Sequence, residues 1–297
     1  MKQRLSHNSN TRFHLATLSP LLTLLLAFLS LTAISACQPT SKTANTGTQS
    51  SAQSAPSASK PTDTFIPPKQ PRLELGHHSA TTPVNRQNDW WMKRFNQLST
   101  NAQGFDGELI FIGDSITQGW ENEGKAVWAK EFAPRGALNL GIGGDRTQHV
   151  LWRLANGNFD GIKPSRTGKR WVVIMIGTNN TGQGNDPNRN TPEEIADGIV
   201  AVTQAVEDAM PDAKIILLGV FPRGEYPANN AQRDDIKTIN GFIVSAQDRH
   251  RIFFKDIGDT FLTPTGMIPK DIMPDFLHLS PKGYQMWADA IKADIAR

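Results

Sequence analysis

Residues 108–116 read ELIFIGDSI. A short run that is apolar on both faces and halts at Gly113-Asp114-Ser115 is the pattern of a strand buried inside a parallel sheet, with a small polar turn at its carboxyl end. The pattern returns downstream. Ala137–Gly141 (ALNLG), Trp171–Gly177 (WVVIMIG), Ile215–Val220 (IILLGV) and Ile252–Ile257 (IFFKDI) read as four more strands. Helical patterns fall between them at 116–132, 146–156, 192–210 and 229–249, and a last helix runs from Pro281 to the end. Helix starts are visible at Asp145 with Gln148, at Thr191-Pro192 with Glu194, and at Ser280-Pro281. Strands alternating with helices predict a three-layer α/β/α sandwich around a five-stranded parallel sheet.

Ligands of such sheets bind beyond the carboxyl ends of the strands, so those ends are where function is sought. The first ends in Gly113-Asp114-Ser115, the second in Gly141-Ile142-Gly143-Gly144-Asp145, and the third in Gly177-Thr178-Asn179-Asn180. A serine, flexible glycines and an amide supply a nucleophile and donors for a developing oxyanion. A base appears near the C-terminus in Asp275-Phe276-Leu277-His278. An aspartate three residues before a histidine can fix its tautomer and leave the other ring nitrogen for a serine. Taken singly, Ser115 also reads as a helix cap paired with Gln118, and His278 as an ordinary histidine. Gly141, Gly143 and Gly144 invite a dinucleotide-binding reading, but Arg146 stands where its third glycine belongs. Thr117 breaks a G-x-S-x-G elbow, and no metal-ligand spacing occurs, so neither a metal nor an organic cofactor is expected. Trp90-Trp91 reads as packing, and His77, His78, His149 and His250 receive no role.

The blocks FIGDSI (111–116), ALNLGIGGDRTQHVLWRLANG (137–157), IGTNN (176–180), LGVFPRGEYP (218–227) and DFLHLS (275–280) resemble the SGNH (GDSL-type) hydrolases. Within that family they are most similar to the catalytic subunits of intracellular platelet-activating factor acetylhydrolase, from about Asp89 to the final helix. The resemblance implies the flavodoxin-like SGNH fold and a serine esterase for short-acyl, chiefly acetyl, esters. It makes Ser115 the nucleophile, with Asp275 and His278 as its partners. Ser115, Gly144 and Asn179 become the oxyanion donors, and Ile116, Thr178 and Leu277 the walls of the acyl pocket. Two rival readings stand beside it: a carbohydrate O-acetylesterase on envelope or dietary glycans, and a catalytically silent envelope-binding lipoprotein. The substrate is expected to be a small ester of an acetylated lipid or glycan. The resemblance leaves the oligomeric state open, with a dimer among the options. Two departures stand out: about two extra residues between Ser115 and Gly144, and an insertion at Gly182–Asn190 (GQGNDPNRN) that is expected to border the site.

The N-terminus is of another kind. Residues 1–36 combine Lys2, Arg4 and Arg12 with a leucine-rich run and no acidic residue, a secretory signal pattern. The run ends in Ile34-Ser35-Ala36-Cys37, which resembles a bacterial lipobox, and Cys37 is the sole cysteine. The reading is a lipid anchor at Cys37, a flexible Ser/Thr/Pro/Ala-rich tether over 37–83, and a hydrolase domain over 84–297. Export follows, with Gln38 favouring the outer membrane in a two-membrane host. Without the leader the chain carries 28 basic and 28 acidic side chains. That balance argues against nucleic-acid binding despite a formal charge of +3. Cys37→Ser is expected to abolish retention of the protein in the membrane fraction, and mass spectrometry of the native mature N-terminus is expected to find Cys37 acylated.

Overall fold

The computed structural model describes residues 73–296. Cys37, the leader and most of the expected tether lie outside these residues. Five strands, β1 (Leu109–Gly113), β2 (Ala137–Gly141), β3 (Trp171–Met175), β4 (Lys214–Leu218) and β5 (Ile252–Lys255), form one parallel sheet in the order β2-β1-β3-β4-β5. Around it lie α1 (Asp89–Ala102), α2 (Ser115–Gln118), α3 (Lys125–Glu131), α4 (Thr147–Arg153), α5 (Pro192–Ala209), α6 (Ala231–Ile243) and α7 (Pro281–Ile295). This is the expected three-layer α/β/α sandwich.

The period-two alternation of the strands divides the core. Ile110, Ile112, Val172, Ile174, Ile215 and Leu217 pack with α1, α4, α5 and α6. Leu109, Phe111, Val173, Met175, Ile216 and Leu218 face the other way, toward α3 and α7. The chain steps from β1 outward to β2, then crosses back to β3 on the far side of β1. That reversal opens a crevice at the carboxyl ends of β1 and β3, where Ser115 and Asn179 follow.

Two helix starts form as expected. Thr191 Oγ1 accepts the Glu194 N–H at 3.3 Å while the Glu194 carboxylate accepts the Thr191 N–H at 3.2 Å, and Ser280 Oγ accepts the Gly283 N–H at 3.2 Å. Asp145 and Gln148 form no such box. His149 Nδ1 accepts the Arg146 N–H instead, because the Asp145 carboxylate is drawn inward to Arg153.

The helix expected over 116–132 is broken into α2, a tight turn over Gly119–Glu121, and α3. Here the chain bends around Tyr284, whose hydroxyl donates to the Ile116 carbonyl at 2.7 Å. A Cβ on Gly119 would stand 1.9 Å from that hydroxyl, so only glycine permits the approach. Helix α1 was not anticipated from the sequence, although Asn88 caps the Trp91 N–H at 2.8 Å and Trp91, Phe95, Leu98 and Ala102 share its buried stripe.

The expected tether ends too late at residue 83. The Gly76 N–H and the His78 ring both reach the Asp197 carboxylate on α5, at 2.9 and 3.2 Å. Ala80 is fully buried, and its carbonyl accepts from Thr147 Oγ1 at 2.7 Å. Burial of Ala80 and these long-range bonds hold a Ser/Thr-rich stretch whose composition alone predicts no order.

Under the α7 face of the sheet, Trp287 is fully buried among Phe111, Trp120, Phe221 and Tyr284, with ring centroids 5.0–6.2 Å away. Trp287→Ala is expected to cost about 3–5 kcal/mol of stability in urea denaturation. A loss below about 1 kcal/mol would mean that this layer does not hold α7.

Candidate active site

Asp114, at the end of β1, caps α2 by accepting the Ile116 N–H on Oδ1 at 3.0 Å. Ser115 is therefore not the cap, and its hydroxyl is free for other work. Gln118 does not cap either, since its Oε1 accepts the Gly143 N–H at 2.7 Å and ties α2 to the loop after β2.

Ser115 Oγ lies 2.9 Å from His278 Nε2, and His278 Nδ1 lies 2.7 Å from Asp275 Oδ2. With a carboxylate at Nδ1, the neutral imidazole keeps its proton there, and Nε2 accepts from the serine hydroxyl. Asp275 Oδ1 accepts the N–H groups of Leu277 and His278 at 3.1 and 2.7 Å. Partial burial pushes the Asp275 carboxyl upward, but the bonds from the His278 ring and backbone outweigh it and hold the group below its ordinary range. The turn also holds Phe276 at φ 61°, a left-handed conformation costly for an aromatic residue. Its carbonyl accepts the Gly224 N–H at 2.7 Å, so two loops share the strain.

Asn179 Nδ2 donates to the Asp145 carbonyl at 2.8 Å. One N–H of the amide is thereby fixed, and the second remains for a ligand. Gly144, at φ +74°, turns the chain after β2, and an added Cβ would meet Arg86 Nη1 at 2.7 Å. The Ser115 N–H occupies the first position of α2, where no intrahelical acceptor exists. Asn180 serves the scaffold: Oδ1 accepts the Thr147 N–H at 3.0 Å, and Nδ2 donates to Gln148 and Asn190.

Ile116 and Thr178 are each 1 % exposed, and Leu277 is half-buried against the same cluster as Ile116. Thr178 is further clamped by Arg223, whose Nη1 donates to its carbonyl and to Oγ1 at 3.1 and 3.2 Å. A cleft of about 750 Å³ opens at Gly144 and Asn179 and reaches Arg223. Its far walls are residues 79–86 and the Gly182–Asn190 loop, which Arg146 grips through Asp186 and the Asn188 carbonyl.

The sequence reading missed three residues here. Arg86 donates to the Gly143 carbonyl at 2.8 Å, and Arg223 lies buried beside Thr178. Trp91 is packing as expected, but Trp90 is 54 % exposed, and both its Cη2 and Ser115 Cβ lie 3.7 Å from where a Gly143 Cβ would stand. The helical stripe of α1 is the signal that separates the two tryptophans: Trp91 falls on it and Trp90 does not.

Residues 111–286 match the model of the GDSL-like lipase/acylhydrolase family. The chain is 38% identical over 209 residues to platelet-activating factor acetylhydrolase IB subunit alpha1 of Bos taurus, covering 69% of this chain and 83% of that protein. It is 38% identical over 196 residues to subunit alpha2 of Homo sapiens, covering 66% and 79%. Among solved structures, a GDSL-like lipase of Bacteroides thetaiotaomicron superposes with a TM-score of 0.54 at 21% identity, covering 69% of this chain and 96% of that one.

Asp114 is fully buried, and burial pushes its carboxyl up to about 7, with the nearby Asp145 adding to the rise. A raised carboxyl binds its proton in the folded state while the unfolded chain has released it, so stability drains away as pH rises from about 4 to about 7. Asp114→Asn keeps an oxygen for the Ile116 N–H and removes the titration. The stability difference between variant and wild type is expected to shift in favour of asparagine across that window. A difference that stays flat in denaturation at pH 4, 5.5 and 7 would show that Asp114 is ionised throughout.

Proposed function

Given that the chain belongs to the GDSL-like lipase/acylhydrolase family and is a serine-type carboxylic ester hydrolase, we propose that Ser115, His278 and Asp275 are its triad and that acetyl esters are its substrates. The observation that carries the triad is the hydrogen-bonded line from Asp275 Oδ2 through both nitrogens of His278 to Ser115 Oγ.

Ser115 Oγ attacks the ester carbonyl while its proton passes to His278 Nε2. The carbonyl oxygen becomes an oxyanion held by the Ser115 and Gly144 N–H groups and the free N–H of Asn179. The carbon–oxygen bond to the alcohol then breaks, and His278 returns the proton to the departing oxygen. Water attacks the acyl-serine by the same route in reverse, giving its proton to His278, which restores the Ser115 hydroxyl as acetic acid leaves. Asp275 stabilises the imidazolium in each half.

Acetyl selectivity is supported by the packing of Ile116, Thr178 and Leu277. Each further methylene of an acyl chain would have to displace packed atoms, at roughly 1–3 kcal/mol for overpacking. Relatives named as acetylhydrolases, 38% identical to this chain, support the same reading. We further assign Cys37 as a lipid anchor that holds the exported domain at a membrane, on the strength of the Ile34-Ser35-Ala36-Cys37 segment alone.

Ser115→Ala is expected to lower kcat on p-nitrophenyl acetate by about 10³-fold or more, and Asn179→Ala by about 10²–10³-fold. Full activity in either variant refutes the role given to that residue. In the wild type, kcat/KM is expected to fall about tenfold or more from acetate to butyrate, with almost no turnover of the octanoate. Leu277→Ala is expected to flatten that profile, and octanoate hydrolysed as fast as acetate by the wild type would show an open acyl pocket.

A further inference from the structure

The cleft that begins at Gly144 and Asn179 has a lining unlike that of a lipid site. Val84 is its only large apolar side chain, and the rest is donors and acceptors. Three guanidinium groups, those of Arg86, Arg146 and Arg223, stand against one lining carboxylate, Asp186, which Arg146 already holds. Arg223 directs Nη1 to Thr178 and lies within the fields of Asp114 and Asp275. Arg86 makes no direct ion pair with a carboxylate among the described residues, although it lies within the field of the buried Asp145. One of its nitrogens is fixed on the Gly143 carbonyl, which leaves the other donors of the fork for a ligand beside the oxyanion site.

His149 adds a donor without adding charge. Its burial, with Arg86, Arg146 and Arg153 around it, pushes its pKa down to about 3, so the ring is neutral. Since Nδ1 accepts the Arg146 N–H, the proton resides on Nε2. On the rim, Trp90 offers an exposed indole close to Ser115. An aromatic face next to a dense set of polar donors suits a sugar ring, whose faces are apolar and whose edges are hydroxyls. Residues 79–86, which form this wall, lie outside the segment matched by the family model.

We propose that this cleft is the alcohol-side subsite and that it selects an acidic saccharide, a carboxylate-bearing sugar seated against Trp90 with its carboxylate on Arg86 and its acetyl ester at Ser115. The inference rests on the esterase reading of Ser115. Hydrolysis at that site consumes one water and yields acetate and the free hydroxyl of the sugar acid.

The test compares an O-acetylated methyl glucuronide with the equally acetylated methyl glucoside. In the wild type the ratio of their kcat/KM values is expected to favour the acid by about tenfold. The ratio is expected to fall toward one in Arg86→Gln and in about 0.5 M NaCl. A wild-type ratio near one, with p-nitrophenyl acetate still hydrolysed, overturns the acidic-sugar subsite and leaves the esterase intact. Faster turnover of an acetylated glycerol phosphate than of the glucuronide also overturns it, by assigning the anion to a phosphate. Should the wild type hydrolyse no ester at all, the esterase reading fails. Saturation-transfer NMR of Ser115→Ala then decides the cleft by itself, where methyl glucuronide binding no better than methyl glucoside overturns the subsite.

Discussion

The buried ion pair of Asp145 and Arg153 is the constraint on which the site depends. Both side chains are wholly inaccessible to water. Arg153 bonds to Asp145 Oδ2 at 2.8 Å, to the carbonyl of Gly113 at the end of β1 at 2.9 Å, and to Asn158 at 2.8 Å. Asp145 Oδ1 accepts from the Trp91 indole at 2.6 Å, and its main-chain carbonyl accepts from Asn179 at 2.8 Å. One residue pair thus ties together the ends of β1, β2 and β3 and the inner face of α1. Desolvating two ions offsets much of their attraction, so the pair contributes specificity more than net stability. Removing one partner would strand a buried charge at about 3–5 kcal/mol. Gly144 and Asn179 are thereby tied to the strand end that carries Ser115, the preorganisation that their proposed role as oxyanion donors requires.

The Asp275–His278 pair arrives from elsewhere and is held differently. Asp275 and His278 have side chains 57% and 44% exposed, and their geometry comes from a tight turn rather than from enclosure. One oxygen of Asp275 organises the turn through two backbone N–H groups, and the other orients the imidazole. Ser280 caps α7 immediately afterwards, and α7 is anchored by Tyr284 and Trp287 in the aromatic layer beneath the sheet. The same Tyr284 bonds to Ile116, next to the serine. Ser115 and His278, 163 residues apart in the chain, are brought together by one packed layer.

The two sides of the serine are unlike. Toward Ile116, Thr178 and Leu277 the atoms are packed, while toward Arg86, His149 and the Gly182–Asn190 loop lies open, polar, cationic space. The proposed substrate, an ester of a small acyl group and a larger hydrophilic alcohol, matches that asymmetry. The shared core supplies the chemistry. The walls of the proposed alcohol subsite come from the N-terminal segment and the insertion, where a chain can vary without disturbing the sheet.

Much of this was legible in the residues alone. Both-faced apolar runs announce buried parallel strands, because helices must cover each side of such a sheet. Strand ends then locate Ser115, Gly144 and Asn179 before any contact is known. The Thr191 and Ser280 caps were readable because a cap is made by neighbours in the chain. Where the reading failed, partners distant in sequence had competed. Asp145 left its helix start for Arg153, Gly119 bent a helix around Tyr284, and residues 76–82 became ordered by docking on α4 and α5. The sequence by itself determined the order of elements and which reactive side chains stand at the strand ends, since both follow from local periodicity. Only the tertiary structure decided which distant polar groups meet, because pairings such as Arg86 with Gly143 exist only once the sheet has closed its layers.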